Sequence, residues 1–246
     1  MKLTLQGLQD KAFWDKNGIQ LPSYNVSQVV ENTKASPTWV HFGIGNIFRI
    51  FIGSVADTLL NNGLANKGTT CVETFDFDVI DKIYKPYDNL VLGVTLKANG
   101  STEKRVIGSL TEAIKAEVRD ESQWNRLIQI FTNPELQMVS FTITEKGYAL
   151  TNSSGSFFPF IMADIENGPD KPSSAMAVIS ALLYKRYLAG KAPIAVVSMD
   201  NCSHNGEKLE HAVLTMANEW LAKGFVDKGF LQYLSTETLV SFPWTM

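Results

Sequence analysis

The stretch that most constrains this chain is Pro37–Ser54, PTWVHFGIGNIFRIFIGS. Val40, His41 and Phe42 form a short β-prone run, Gly43 and Gly45 break it, and an amphipathic run follows at once. Ile47, Phe51, Val55 and Leu59 recur every fourth residue, reinforced by Phe48, Ile52 and Ala56, which predicts one face of a helix. Asn61-Asn62-Gly63 supplies its stop signal. A strand that turns on glycine straight into a helix is the opening unit of an alternating α/β chain.

The remaining sequence repeats that alternation. GTTCVETF reads as a second strand and DVIDKIY as a short helix ended by Pro86. Between Asn89 and Leu110 lie two strand-like runs separated by Lys97–Ser101, with Asn99-Gly100 marking a hairpin. ESQWNRLIQIFTN is helical, LQMVSFTIT is a buried strand, and SSAMAVISALLYKRYLAG is a long helix stopping at Gly190. PIAVVSM is the near-continuous apolar run expected inside a parallel sheet, and a helix fits Gly206–Lys223. TNSSGSFFPF and MADIENGPDKPSS read as loops making a surface excursion. The predicted fold is a doubly wound, Rossmann-like α/β sheet, mostly parallel, with an antiparallel hairpin insertion.

Composition narrows the function classes. The 246 residues are 45% hydrophobic and 19% charged, with a net charge of −3, so neither nucleic acid nor an anionic membrane surface is an expected partner. The N-terminus has no apolar core of the signal-peptide type, and no window approaches the roughly 20 apolar residues of a membrane span. Cys71 and Cys202 lie far apart without a C-x-x-C, and no histidine pair has metal-ligand spacing. A cytoplasmic protein using no metal is the expectation.

In a doubly wound sheet, ligands bind at the carboxyl ends of the strands where strand order reverses. Gly43 and Gly45 provide a tight turn and close backbone approach for a pyrophosphate, with the N–H groups of the helix start, Asn46 and Ile47 among them, facing the anion. Phe48 stands where a third glycine is usual, which implies reorganised helix–strand packing rather than loss of the site. Arg49 can add a phosphate contact. On the next strand, VETFDFD offers Glu73, Asp76 and Asp78 to the adenosine ribose, Asp76 or Asp78 being favoured, and no arginine is near to welcome the 2′-phosphate of NADP. NAD is the expected cofactor. The alternative for two of these carboxylates is to cap the helix beginning near Val79.

HFGIGNIFR resembles the G-x-G-x-F-x-R signature of the polyol-specific long-chain dehydrogenases, the mannitol dehydrogenase family. RVIGSL at Arg105–Leu110, TITEKGY at Thr142–Tyr148 and SMDNCSHNG at Ser198–Gly206 agree in the same order. FPWTM is similar to that family's segment joining the nucleotide domain to a second, helical domain. Ile47 replaces the family's phenylalanine, and Phe51 stands where a histidine is frequent. The resemblance implies hydride transfer between NAD and a secondary alcohol or ketone of a sugar acid or polyol. D-Mannonate and D-fructuronate are favoured, with mannitol and fructose as the alternative.

The resemblance also assigns roles. Asn201 would donate its amide to the substrate oxygen, Asp200 would stand near the nicotinamide, and Glu145 would lie near a catalytic lysine and steer protons. Read from the residues alone, Asn201 and Asp200 equally close a turn, and Glu145 is a helix-start carboxylate. The family's lysine sits on the second domain, which is expected as the missing partner of this chain, without which turnover is not expected. The expected division is an extension over 1–36, the dinucleotide domain over 37–241, and the start of a junction over 242–246. His41 reads as a packed strand residue, His211 as solvent-facing, and His204 as a loop histidine within reach of substrate. Tyr187-x-x-x-Lys191 matches short-chain dehydrogenase spacing, but Gly190 and Pro193 end the helix there, so the pair cannot be held rigidly.

Overall fold

A computed structural model describes residues 1–246. The chain opens with a 3-10 turn at Gly7–Gln9 and α1 (Lys11–Lys16), where the Asp10 side chain accepts the Phe13 N–H. β1 (Ile19–Gln20) and α2 (Val26–Ala35) follow, the latter capped by Asn25. β2 (Trp39–Phe42) then leads through the glycines into a π-helical turn, Phe48–Ile52, continuous with α3 (Gly53–Asn61). After β3 (Thr69–Glu73) and a second π-helical turn, Ile80–Tyr84, come β4 (Val91–Leu96), β5 (Thr102–Ile107) and β6 (Leu110–Lys115). The chain continues with α4 (Glu121–Thr132), β7 (Met138–Phe141), α5 (Glu145–Tyr148), α6 (Pro159–Asn167) and α7 (Ala175–Leu188). It ends with β8 (Ile194–Ser198), α8 (Asn205–Ala222), α9 (Lys228–Leu234) and β9 (Val240–Ser241).

Six strands form one wholly parallel sheet in the order β6-β3-β2-β7-β8-β9. The chain therefore starts at the middle, runs outward through β3 and β6, and returns to build the other half. That reversal places a topological switch point between β2 and β7, where the carboxyl ends of adjacent strands part company. The sheet is apolar because both faces are covered: Val40, Phe42, Val139, Phe141 and Val196 are all buried. α7 packs against both α4 and α8 to close the larger core. The expected hairpin is present, β4 pairing antiparallel with β5 through the Lys97–Ser101 turn, and β1 joins β5 in parallel to complete a second, three-stranded sheet. Within residues 1–36, α2 packs on β6 and β3. Tyr24 donates its hydroxyl to the buried Asp57 of α3 (2.5 Å), which also takes the Gly108 N–H (2.9 Å).

Two expectations are corrected. The stripe Ile47, Phe51, Val55 and Leu59 is not the buried face of its helix: these residues are 41–69% exposed. The core takes Phe48, Ile52, Ala56 and Leu60, one position on, because the helix runs down over β3 and the hairpin sheet with that face inward. The two stripes have the same four-residue period, so periodicity alone selects neither. The second correction is the excursion at 151–174. Pro159 opens α6, whose Ile161, Asp164 and Ile165 are buried. The Asp164 carboxylate takes the Ser173 N–H (2.8 Å), the Ser173 hydroxyl (2.7 Å) and the Ser174 N–H (2.8 Å), so polar residues that signal a loop staple it down.

Two buried polar groups organise the opposite ends of the sheet. At the amino end, Arg186 is 1% exposed and has no carboxylate beside it. All five of its N–H groups go to main-chain carbonyls: Nε to Ala192, Nη1 to Phe131 and Asn133, and Nη2 to Leu136 and Pro193, at 2.7–2.9 Å. One side chain thereby ties the end of α4 to the segments entering β7 and β8. Towards the carboxyl end, His41 is buried in β2 with both ring nitrogens bonded, as expected of a packed strand residue. The Thr142 hydroxyl donates to the Gly43 carbonyl (2.7 Å), so His41 Nε2 must be the donor to Thr142 Oγ1 (2.8 Å). Nδ1 is then an acceptor for Ser140 Oγ–H (2.7 Å), whose oxygen takes the Trp39 Nε1–H (2.7 Å). Four hydrogen bonds run in one direction from β2 to the first glycine.

Replacing Arg186 with Met should cost at least about 3 kcal/mol, since each buried carbonyl left dry costs about 1–3 kcal/mol. Urea unfolding reads the loss, and a change below 1 kcal/mol would show that water re-satisfies the cluster. Burial holds the His41 imidazole near a pKa of about 3, below the ordinary 6.5. The unfolded chain binds that proton first, so His41 stabilises the fold above pH 6.5 and loses this contribution as pH falls from 6.5 toward 3. The slope is up to about 1.4 kcal/mol per pH unit. NMR of the ring should show the Nε2–H tautomer, uncharged down to pH 4; titration near 6.5 would refute the buried relay.

Candidate active site

The glycine turn stands at the switch point and is shaped by backbone crowding. Gly43 has φ +86°, and a Cβ there would lie 2.2 Å from the Thr142 carbonyl oxygen, so only glycine lets β2 leave alongside β7. Gly45 is the opposite case: a Cβ would meet nothing within 4 Å, because this residue borders open space. The first intrahelical bond is Arg49 N–H to the Gly45 carbonyl (3.1 Å), which leaves the N–H groups of Asn46, Ile47 and Phe48 without helical partners. These donors, the small residue beside them and a carboxylate at the end of β3 suit a dinucleotide.

Phe48 is fully buried, its ring stacked on His41 at 4.0 Å and 6°. A side chain this large fits the place of a third glycine because the helix widens into a π-helical turn there. Arg49 is half-buried and donates to the Asn46 side chain, which holds the guanidinium over the turn. Ile47 points outward beside them.

The acidic cluster divides. Glu73, the last residue of β3, is buried and reaches the glycine turn: Oε2 takes the Ile44 N–H (3.4 Å), while Oε1 takes the N–H groups of Thr74 (2.9 Å) and Phe75 (3.1 Å). Asp76 and Asp78 are exposed, and Asp78 pairs with Lys82 at 2.6 Å. Neither aspartate side chain caps the turn that follows; the Val79 N–H goes to the Asp76 main-chain carbonyl (3.2 Å). The structure thus sets Glu73, not the two aspartates, against the turn.

Across the switch point, β7 ends at Phe141 and gives way through Thr142–Thr144 to α5. Thr144 has φ 64° and ψ 160°. Glu145 begins α5, is exposed, and pairs with Lys208 on α8. Lys146, beside it, is exposed as well. β8 ends at Ser198, and Asp200 turns its carboxylate back to the β7 turn, accepting from Ile143 N–H, Thr144 N–H and the Tyr148 hydroxyl. That contact and burial push the Tyr148 phenol well above its ordinary pKa, burial being the larger cause.

The two asparagines of DNCSHNG behave differently. Asn205 is fully buried: its Nδ2 donates to the carbonyls of Ser198 (3.2 Å) and Asp200 (3.0 Å) and to Thr245 Oγ1 (2.7 Å), and its Oδ1 takes the Thr245 N–H (3.1 Å). It pins the end of β8 to the segment after β9. Asn201 is exposed, and its amide makes no hydrogen bond within the chain. His204, exposed with φ 56°, bonds Glu207 (3.0 Å) and lies beside the Trp244 ring at 4.6 Å. His211 is exposed on α8. Burial raises the Cys202 thiol, so no thiolate nucleophile is prepared in this loop.

Sequence reasoning did not single out Asn205, Lys208, Tyr148 or Ser198. The second asparagine in DNCSHNG was the one available sign, and its role depends on Thr245, forty residues away. Tyr187 and Lys191 lie at the amino end of the sheet, where the Tyr187 hydroxyl bonds Asp227 (2.8 Å), so they take no part in this site.

Residues 37–246 match the Mannitol dehydrogenase Rossmann domain. The chain is 46% identical over all 246 residues to the D-mannonate oxidoreductase of Thermotoga maritima, covering 45% of that protein. It is 31% identical over 198 residues to the D-mannonate oxidoreductase of Escherichia coli, covering 74% of this chain and 40% of that one. The fold superposes on Pseudomonas fluorescens mannitol 2-dehydrogenase, solved as a ternary complex with NAD and D-mannitol, with a TM-score of 0.78 and 28% identity over 98% of this chain and 46% of that one. The chain spans less than half the length of these relatives. The family model's match over residues 37–246, on a Rossmann sheet with a glycine turn at its switch point, shows that the chain belongs to the mannitol dehydrogenase family.

Proposed function

We propose that this domain binds NAD at the glycine turn and belongs to an oxidoreductase that interconverts a secondary alcohol and a ketone on a sugar acid or polyol. The observation that carries the proposal is Asn201. An amide with no internal partner stands at the carboxyl end of β8, one strand from the switch point, while the neighbouring Asn205 makes the loop rigid. NAD supplies the hydride chemistry when bound. The chain's own residues bind and orient: Gly43 and Gly45 admit the pyrophosphate to the N–H groups of Asn46, Ile47 and Phe48, and Arg49 adds positive charge beside them. Glu73 accepts the ribose hydroxyls, a reading supported by its reach to the glycine turn, with Asp76 and Asp78 adding negative potential at the rim.

At the substrate, Asn201 donates to the oxygen that gains negative charge as hydride moves, and Glu145, paired with Lys208, carries protons between the mouth and solvent. The lysine base belongs to the further length present in the relatives, read as a second domain of the same polypeptide. D-Mannonate and D-fructuronate are the favoured pair, on the strength of the Thermotoga maritima relative; mannitol and fructose are the second reading, supported by the Pseudomonas fluorescens structure. Assaying the whole protein on hexuronates and ketoses with NADH separates them. No helix is long and apolar enough to cross a membrane.

NADH should bind this domain at least tenfold more tightly than NADPH, and Glu73→Gln should narrow the gap by about 1–3 kcal/mol, the scale of a charged hydrogen bond. Equal affinities of the unaltered domain, measured by titration, would defeat the assignment. In the whole protein, Asn201→Ala should lower kcat by roughly 10²–10³-fold, as loss of one oxyanion donor does elsewhere, with NADH affinity unchanged. Near-normal turnover would reduce the Asn201 loop to a structural turn.

A further inference from the structure

Thr144 is a β-branched residue held at φ 64° and ψ 160°, backbone that is essentially reserved for glycine and costs of order 1–3 kcal/mol. Something must hold it there. The Thr144 N–H goes to Asp200 Oδ1 (3.0 Å), and the preceding Ile143 N–H goes to Oδ2 (3.0 Å). The same Oδ2 takes the Tyr148 hydroxyl (2.5 Å). The one O–H of Tyr148 is committed to Asp200, so the Ser198 hydroxyl is the donor in the 2.8 Å contact between them. The carboxylate therefore grips both ends of the turn, its entry at Ile143 and its exit at Tyr148. The loop has little freedom elsewhere, since the Gly147 N–H returns to the Thr144 carbonyl (2.9 Å).

Glu145 is the residue immediately after the strained peptide, and its direction out of β7 is set by the Thr144 dihedrals. We infer that Asp200 is a positioning residue: it clamps Thr144 in a strained conformation and so aims the Glu145 carboxylate at Lys208 and the substrate mouth, rather than contacting the dinucleotide. The inference deepens the proposed function and rests on it for the role of Glu145; the clamp itself rests on geometry alone. Asparagine at position 200 would point an N–H₂ at one or two of the three donors and release the turn. Glycine at position 144 would adopt the same dihedrals without strain and make the clamp less necessary.

The test combines amide hydrogen exchange on this chain with turnover of the whole protein. Asp200→Asn should speed exchange at Ile143 and Thr144 at least tenfold, with β2 and the NADH affinity unchanged. It should lower kcat by about 10–100-fold, the scale of a misplaced catalytic group, with little change in KM. The double variant Asp200→Asn with Thr144→Gly should recover most of that kcat, which a general loss of stability would not allow. Should Asp200→Asn not fold, Thr144→Gly must melt higher than Thr144→Ala, because only glycine relieves the dihedral. Unchanged exchange in Asp200→Asn, a double variant as slow as Asp200→Asn, or a Thr144→Gly no more stable than Thr144→Ala would each overturn the clamp. Failure of the unaltered domain to bind NADH would instead overturn the proposed function and leave the exchange result standing.

Discussion

At the carboxyl end of the two central strands, two backbones touch with no room for a side chain. A Cβ on Gly43 would press 2.2 Å from the Thr142 carbonyl oxygen, so β2 and β7 can run side by side to their ends only with glycine there. The contact brings the Thr142 hydroxyl within 2.7 Å of the Gly43 carbonyl and gives the relay through His41 and Ser140 its direction. From this crossing the chain departs two ways, into the helix over β3 and into the turn that carries Glu145. A larger residue at Gly43 would shift both departures together, displacing the dinucleotide turn against the substrate side.

The same crossing explains how the motif tolerates Phe48. A third glycine serves close helix–strand packing. Here His41 presents a flat, uncharged ring from β2, and Phe48 lies on it face to face. The helix makes room by widening over Phe48–Ile52. An aromatic stack thus takes the place of a backbone contact, and the first helical N–H groups keep their outward direction. The exposed stripe at Ile47, Phe51, Val55 and Leu59 is the other side of that solution, since the turn of the helix that buries Phe48 must lift its neighbour out.

The alternation of strands and helices was legible because each depends on near neighbours: the apolar runs at β7 and β8, the Asn99-Gly100 hairpin and the glycine turn all declare themselves within a few residues. What the sequence did not show depends on contacts between distant segments. The choice between two apolar stripes on one helix is made by β3 and the hairpin sheet, and α6 is held by an aspartate that reaches serines nine and ten residues on. Glu73 was the outsider among three carboxylates by position. It stands nearest the glycine turn only because β2 and β3 are paired, with Phe42 opposite Val72. Asp200 and Asn205 look alike in sequence to Asn201, and only their partners at Thr144, Tyr148 and Thr245 distinguish them.

Those partners also bear on the electrostatics of the mouth proposed for the substrate. A reaction that places negative charge on a substrate oxygen is opposed by every free carboxylate nearby. Two carboxylates stand at the ends of β7 and β8, and neither is free: Asp200 accepts three donors, and Glu145 is paired with Lys208. The Cys202 thiol, raised by burial, stays protonated between them. Asn201 is left as a neutral donor among groups whose charge is already balanced. An amide in such surroundings keeps its dipole for the oxygen that gains charge, and it needs no proton change to do so. In the role proposed for Asn201, holding the loop by Asn205 and the facing turn by Asp200 would make that donor's place independent of the substrate, which is the condition under which a single hydrogen bond favours the transition state over the ground state.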